Sequence, residues 1–392
     1  MTTLEQVAEI TGGGTPPRAE ASYFGGGICW ATPTDVTALQ ELYIQETRET
    51  LTPAGLAGSS ARLLPAGAVL LTSRATIGFT AVSKVPIATN QGFVNFVCGT
   101  RLQPEYLAYW LRAKKPTLER LANGATFKEI SRGTVRKLEI NVPDRAEQAR
   151  VVDLLSRAES IVRMRREAEQ KAKEIIPALF LDMFGDPATN PKGWGIARLG
   201  DVAEVVSGVA KGRKLGGRAT REVPYMRVAN VQAGHLNLNE MKRIPATESE
   251  ITELALQRGD VLLTEGGDDD KLGRGALLDI DIGECIHQNH VFRVRASQAS
   301  LVPEYFAAFL QTDVSRHYFL KSAKKTTNLA SINMTQLRAL PVVLPPVNLQ
   351  RQFAGRASQT KIFADDLAQG ARLARQAFES VLAGVFSEVR AP

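Results

Sequence analysis

Cysteine is scarce in this 392-residue chain: Cys29, Cys98 and Cys285 are odd in number and far apart. A disulfide framework or zinc knuckle is therefore not expected, and a reducing cytoplasm is the default compartment. No apolar run approaches the roughly 18 residues that a membrane span needs. Met1–Ile10 carries Glu5 and Glu9 but no basic cluster, unlike a signal or transit peptide. There is no Gly-x-x-x-x-Gly-Lys-Ser/Thr, which excludes an ATP motor of that type. An Asn/Asp-Pro-Pro-aromatic methyltransferase motif is missing too. Asn141–Asp144 and Leu344–Val347 resemble it but lack the aromatic that would stack on a target base. Gly12–Gly14 and Phe24–Gly27 read as turns rather than as a cofactor loop.

What the chain does have is an ordinary globular composition, 44% hydrophobic and 23% charged, with length enough for two or three domains. Its formal charge of +7 suggests a polyanionic partner. The most informative feature is internal. Leu4–Ile10 is repeated at Leu199–Val205, and Leu64–Thr72 at Leu256–Thr264. Pro104–Leu107 is repeated at Pro303–Phe306, and Ile130–Leu138 with Ile140 and Pro143 at Ile332–Leu340 with Val342 and Pro345. The order never breaks, so the chain is a duplication.

Each copy opens with short β-branched runs broken by Gly and Pro, which predicts a mixed α/β head. Ala68–Thr72, Gly92–Val97, Val261–Leu263 and His290–Val294 are strand candidates. A helix follows near Pro104–Lys114 and again near Pro303–Thr312, with Pro at the first helical position. Each copy closes on a long helix. In the second copy Phe353, Ala357, Thr360, Ala364, Leu367, Ala371, Ala374, Phe378, Val381 and Val385 alternate spacings of four and three, a heptad seam. The first copy's seam, from Val151 to Leu179, is interrupted by Arg165 and Glu169, with Pro177 as a kink or break. Packed together, the two helices must be antiparallel. The fold expected is α+β: two similar heads separated by two long antiparallel coiled-coil-like helices with pseudo-two-fold symmetry. The spacer would span about 47 Å, an upper bound of about 14 base pairs, which suits half-sites about one DNA turn apart.

This order of parts resembles the specificity subunit of Type I restriction–modification systems, over essentially the whole chain. The local phrases that carry the likeness are Met183–Pro187, Asn190–Trp194 and Leu199–Val202 at the middle junction. Val142–Asp144 before Glu147-Gln148, and Leu344–Pro346 before Gln350–Gln352, stand where the helices start. The resemblance implies target-recognition domains at 1–143 and 190–345 and conserved spacer helices at 144–189 and 346–392. It implies that each domain binds half of a bipartite site in double-stranded DNA. The helices would set the gap and dock two methyltransferase subunits, and a restriction subunit could join them. S-adenosylmethionine would belong to the methyltransferase partner, with no cofactor, metal or catalytic residue in this chain and no membrane partner.

Candidate DNA contacts follow from what phosphates and base edges require, namely Lys, Arg and amides on loops. Lys211, Arg213, Lys214, Arg218 and Arg221 occupy a Gly-rich stretch without an acidic residue. Lys321, Lys324, Lys325 and Asn328 precede the Ile332 landmark, and Lys128, Arg132 and Arg136 hold similar ground in the first copy. Arg74 follows a strand on a turn. Arg163, Arg165 and Arg166 on the first helix could face DNA, a protein partner or water. A stand-alone metal-dependent endonuclease would need carboxylates beside a lysine. Asp144 with Glu169 and Lys171, and Asp268–Lys271, are its candidates, and chance spacing or a solvated loop explains both. His287 and His290 would point to opposite faces of a strand rather than share a metal. A coiled-coil scaffold without DNA function is the third reading.

Overall fold

Val69–Thr72 and Val261–Thr264 are buried along their whole length. Strands of that kind belong at the centre of a sheet, and each organises one half of the molecule. The structure, a computed structural model, describes residues 1–124, 128–267, 272–325 and 330–387. Its backbone divides into two units, Met1–Glu169 with Leu367–Pro392, and Gln170–Asp366.

In the first unit the strands of the two larger sheets are β1 (Ala8–Gly12), β2 (Phe24–Ala31), β3 (Tyr43–Ile44), β4 (Glu49–Leu51), β5 (Val69–Thr72), β6 (Thr80–Ser83), β7 (Ile87–Thr89) and β8 (Phe93–Cys98). They form a five-stranded sheet in the order β1-β8-β5-β6-β3 and a three-stranded sheet in the order β4-β2-β7. Helix α1 (Pro104–Ala113) buries Tyr106, Leu107, Tyr109, Trp110 and Leu111, with Pro at its start. Helix α2 (Arg132–Arg136) is capped by Ser131, whose hydroxyl accepts from Thr134 N. The long helix α3 (Arg145–Phe184) begins in this unit.

The second unit repeats the plan with β9 (Ala203–Ser207), β10 (Arg221–Met226), β11 (Lys242–Ala246), β12 (Val261–Thr264), β13 (Gly275–Leu277), β14 (Ile286–His287) and β15 (Val291–Ala296). The sheets that match those of the first unit run β9-β15-β12-β13 and β11-β10-β14. In both units the three-stranded sheet mixes one antiparallel and one parallel pairing around its middle strand, β2 or β10. Helices α4 (Pro303–Phe309) and α5 (Met334–Arg338) match α1 and α2, and α6 (Val347–Val385) is the second long helix.

Side chains confirm the duplication more closely than the strands do. The Tyr106 hydroxyl donates to Asn141 O at 3.1 Å, and that of Tyr305 to Val343 O at 2.7 Å. Gln148 is fully buried at the start of α3, where its Oε1 accepts from Gln103 N and its Nε2 donates to Arg101 O and Pro143 O, each at 2.8 Å. Gln350 at the start of α6 repeats all three bonds with Val302 N, Ser300 O and Pro345 O, at 2.9, 3.1 and 2.8 Å. An amide that satisfies three buried backbone groups locks each helix start to its own head.

The long helices pair antiparallel. In the first unit Val151 and Leu155 of α3 share a core with Phe378, Val381, Leu382 and Val385 of α6. In the second, Ile176, Leu179, Phe180 and Phe184 of α3 share one with Phe353 and Ala357 of α6. Every position of the predicted α6 seam is buried or half-buried, while its neighbours are mostly exposed. Two expectations need correcting. Of the kink or break expected at Pro177, the break does not occur: helix α3 runs through Pro177, because the packing of Ile176, Leu179 and Phe180 holds both sides of it to one core. Phe24–Gly27 is no turn: it lies in β2, where a bulge between Phe24 and Ile28 takes up the glycines and Gly25 adopts a φ of 80°.

Candidate nucleic-acid interface

Both units build the same rim of loops at the end of the central strand. In the first, Gly13 passes the loop after β7 so closely that a Cβ there would sit 1.9 Å from Asn90 O, and Gly14 N donates to Thr89 O at 2.9 Å. The loop ends at Gly92, whose carbonyl accepts from Ser73 N at 2.8 Å. Ser73 O accepts from Ile130 N at 2.9 Å, and Ala75 N donates to Lys128 O at 3.2 Å. Glycine loop, β7–β8 loop, the end of β5 and residues 128–130 are thus stitched edge to edge.

The second unit repeats each stitch. A Cβ on Gly208 would lie 1.9 Å from His287 O, Val209 N donates to His287 O, and Asn289 N donates to Val209 O, both at 2.9 Å. Glu265 N donates to His290 O at 3.0 Å and Ile332 N to Glu265 O at 2.8 Å. Beyond, Gly266–Gly267 pairs with Ala330–Ser331, which pairs with Lys324–Lys325.

The basic residues singled out in the sequence divide on this frame. Arg74 and Lys128 are exposed and adjacent on the first rim, with the Arg74 guanidinium 3.8 Å from Glu129. Arg132 is exposed and its side chain crosses over Gly12, where an added Cβ would meet it at 3.4 Å. Arg136 donates to Ile10 O at 3.3 Å, and its counterpart Arg338 to Val205 O at 2.8 Å. That bond, made in both copies, is part of the frame.

In the second unit Lys211, Lys214 and Arg218 are exposed on the loop leaving Val209, and Arg218 Nε donates to Leu215 O. Arg213 is held by both oxygens of Glu250 at 2.8 Å, as Arg18 is held by Glu49 at 2.7 and 2.9 Å. Arg213 brings the Glu250 carboxyl down from its ordinary 4.5 to about 2. Arg221 is gripped by Glu248 and Glu284. Lys321 is exposed near the end of helix Asp313–Ser322, Lys324 and Lys325 lie in the rim strand, and Asn328 lies outside the described residues. On α3, Arg163 lies 3.6 Å from Glu41, Arg166 donates to Gln40 Oε1 at 2.8 Å, and Arg165 lies against Gly370 of α6.

The nuclease candidates have other occupations. Asp144 accepts from Glu147 N at 2.8 Å as the cap of α3, Glu169 and Lys171 lie within that helix, and Asp268–Lys271 lies outside the described residues. His287 is buried with Nδ1 2.7 Å from Val291 O, and burial pushes its pKa down to about 4, whereas His290 is exposed beside Glu265. Among the described residues no group of three His, Cys, Asp or Glu could hold a metal ion, and no helix is long and apolar enough to cross a membrane. A search of the sequence for cations alone misses Gln148 and Gln350, although both are written at matching places in the two copies. It also misses the acidic and imidazole side chains of the second rim.

Comparison with known proteins agrees with this geometry. The sequence model of the Type I restriction modification DNA specificity domain matches residues 1–174 and again 191–367. Over 248 residues the chain is 31% identical to the Type I restriction enzyme MjaIX specificity subunit of Methanocaldococcus jannaschii, a match covering 59% of this chain and 57% of that relative's length. The fold is similar to a chain from a structure of type I R-M complex assembly and conformational transition, with a TM-score of 0.64 and 17% identity over 99% of this chain and 97% of the other. It is similar as well to a Type I restriction–modification S subunit from M. genitalium, with a TM-score of 0.55 and 14% identity over 99% and 96%. Two matched domains, each on a duplicated frame and joined through two long helices, mean that this chain belongs to the family of Type I restriction–modification specificity subunits.

Proposed function

We propose that this chain is the DNA-reading subunit of a Type I restriction–modification complex and carries no catalytic group of its own. The single observation behind this reading is the pair of rims: one stitched frame, made twice, that presents different exposed polar side chains in its two copies. Each unit binds one half of a bipartite duplex site, Arg74, Lys128 and Arg132 in one and Lys211, Lys214, Arg218, Lys321, Lys324, Lys325 and Asn328 in the other. The cations hold phosphates, and the groups nearest the rim meet base edges. Arg213, Arg221 and Arg136 serve that surface by holding its loops in place.

The long helices set the gap between half-sites and dock methyltransferase subunits, two per chain, with S-adenosylmethionine bound in those partners. A restriction subunit joins the same assembly. Support for docking is the large apolar side chains the helices leave in solvent: Leu154, Ile161, Met164 and Leu373 in the first unit, and Ile175, Leu181, Ile362 and Phe363 in the second. Side chains of that size exposed along a helix favour a protein partner.

The test uses the purified full chain, alone and with the methyltransferase subunits added. Alone it should bind duplex DNA in a strongly salt-dependent manner without methylating or cutting it, and site selectivity should rise when the subunits are added. Site-specific methylation or cleavage by the chain alone would overturn the reading.

A further inference from the structure

The second rim carries a polar pair that the first does not. At the stitch between the end of the central strand and the following loop, the first unit has Ser73 and Gly92, and the second has Glu265 and His290. The backbone bond that closes the stitch is the same in both, so side chains are not needed to close it. Yet in the second unit His290 Nδ1 lies 2.5 Å from Glu265 Oε2, and Asn289 Nδ2 lies 3.3 Å from His290 Nε2. An Asn289 amide that donates to Nε2 leaves Nδ1 as the protonated nitrogen, donating to the carboxylate. The result is a hydrogen-bonded relay from Asn289 through His290 to Glu265.

Two further facts separate this relay from a structural staple. It is not buried: the side chains of His290 and Glu265 are 55% and 29% exposed. Its backbone also adjoins two lysine-bearing segments. Asn289 is bonded to Val209, where the Lys211–Lys214 loop begins, and Glu265 is bonded to Ile332 beside the strand pair that carries Lys324 and Lys325. A carboxylate in the middle of a phosphate-binding surface opposes phosphate binding unless it meets a donor. In duplex DNA the donors that reach the major groove are the exocyclic amino groups, N6 of adenine and N4 of cytosine.

We infer that Glu265, oriented by His290 and Asn289, is a specificity-determining residue that accepts a hydrogen bond from an exocyclic amino group in the half-site bound by the second unit. The corresponding residue of the first unit is Ser73, and the residue after it is Arg74, a donor suited to guanine O6 and N7. The inference rests on the DNA-reading function proposed above.

Selection of the full chain on a pool of random-sequence duplexes tests both and keeps them apart. The unaltered chain should enrich two half-sites at a fixed gap; if it enriches none, the DNA-reading function fails, and this inference with it. Glu265→Gln should relax one base pair of one half-site by about tenfold or more, the equivalent of a lost base contact, while the other half-site and the gap persist. The base whose preference is lost tells adenine from cytosine. His290→Asn should relax the same position to a smaller degree, and Arg74→Ala a position in the opposite half. If Glu265→Gln enriches the same half-sites at the same stringency, or abolishes the whole half-site as a folding defect would, the inference is wrong.

Discussion

The two units share a frame and differ at both of its ends. At the rim, Ser73, Arg74 and Gly92 of the first correspond to Glu265, Gly266 and His290 of the second. At the helical base, Val151 and Leu382 in the first stand where Phe353 and Phe180 stand in the second. The bonds between these ends, those of Gln148 and Gln350, Tyr106 and Tyr305, Arg136 and Arg338, are the same in both copies. A duplication that keeps its hydrogen-bonded middle and varies its ends separates the part that holds shape from the parts to which the proposed function assigns recognition. Within one sequence, sameness between copies marks structure, and difference marks where the proposed recognition would lie.

The helical base gives the sharpest test of that contrast. Phe353 meets Phe180 and Phe184 at ring separations of 5.7 and 5.4 Å; Phe180 stacks on Tyr305 at 5.4 Å and Phe184 meets it edge-on at 4.8 Å. Phe353→Ala should cost about 3–5 kcal/mol in denaturant unfolding, and Val151→Ala about 2 kcal/mol, from the loss of two buried carbons. Equal losses would mean that the aromatic base adds nothing beyond shape. Next in size are the tight glycines. Gly13→Ala and Gly208→Ala should each cost roughly 3 kcal/mol, because a methyl 1.9 Å from a backbone carbonyl forces the loop to move. The frame argument requires the two losses to match; a harmless change at one of them would show that the copies do not share this crossing.

Much of this plan is legible in the sequence, for a definite reason. Duplicated landmarks such as Leu4 and Leu199, or Ile130 and Ile332, are buried positions whose identity packing enforces, so they recur in writing as they do in space. The heptad seam is readable because its period alone decides which side chains face inward. The rim is much less legible. Ser73 lies beside Gly92, and Glu265 beside His290, only through backbone bonds across the sheet, and nothing in their sequence neighbourhood announces it. Charge misleads there as well. Arg213 and Arg221 look available in a stretch free of acids, yet Glu250, Glu248 and Glu284 reach them from other elements.

Lys211 and Lys214 provide the smaller, functional comparison. Both are exposed on a loop that the first unit does not match in charge. Lys211→Ala and Lys214→Ala should each weaken duplex binding about equally for all sequences, and each should make the dependence of log affinity on log salt shallower by about one. A titration of binding against salt measures this. A change confined to one base pair would instead place these lysines among the base readers and move the boundary between frame and reading surface.

The last contrast lies between two arginine–carboxylate clasps five residues beyond the tight glycines. Arg18 and Glu49 are 57% and 42% exposed in their side chains, whereas Arg213 and Glu250 are 18% and 21% exposed. Arginine lowers the carboxyl in both cases, to about 2 for Glu250. A carboxyl lowered on folding stabilises the native state above its ordinary value of 4.5, and that contribution disappears as the pH falls from there towards about 2. Thermal unfolding followed across that interval should therefore fall less steeply in Glu250→Gln than in the unaltered chain. In Glu49→Gln the change should be slight, since water screens the exposed clasp. Were the two substitutions to flatten the acid limb equally, burial of the second clasp would not be what distinguishes the loops, and Arg213 would be as available to a phosphate as Arg18.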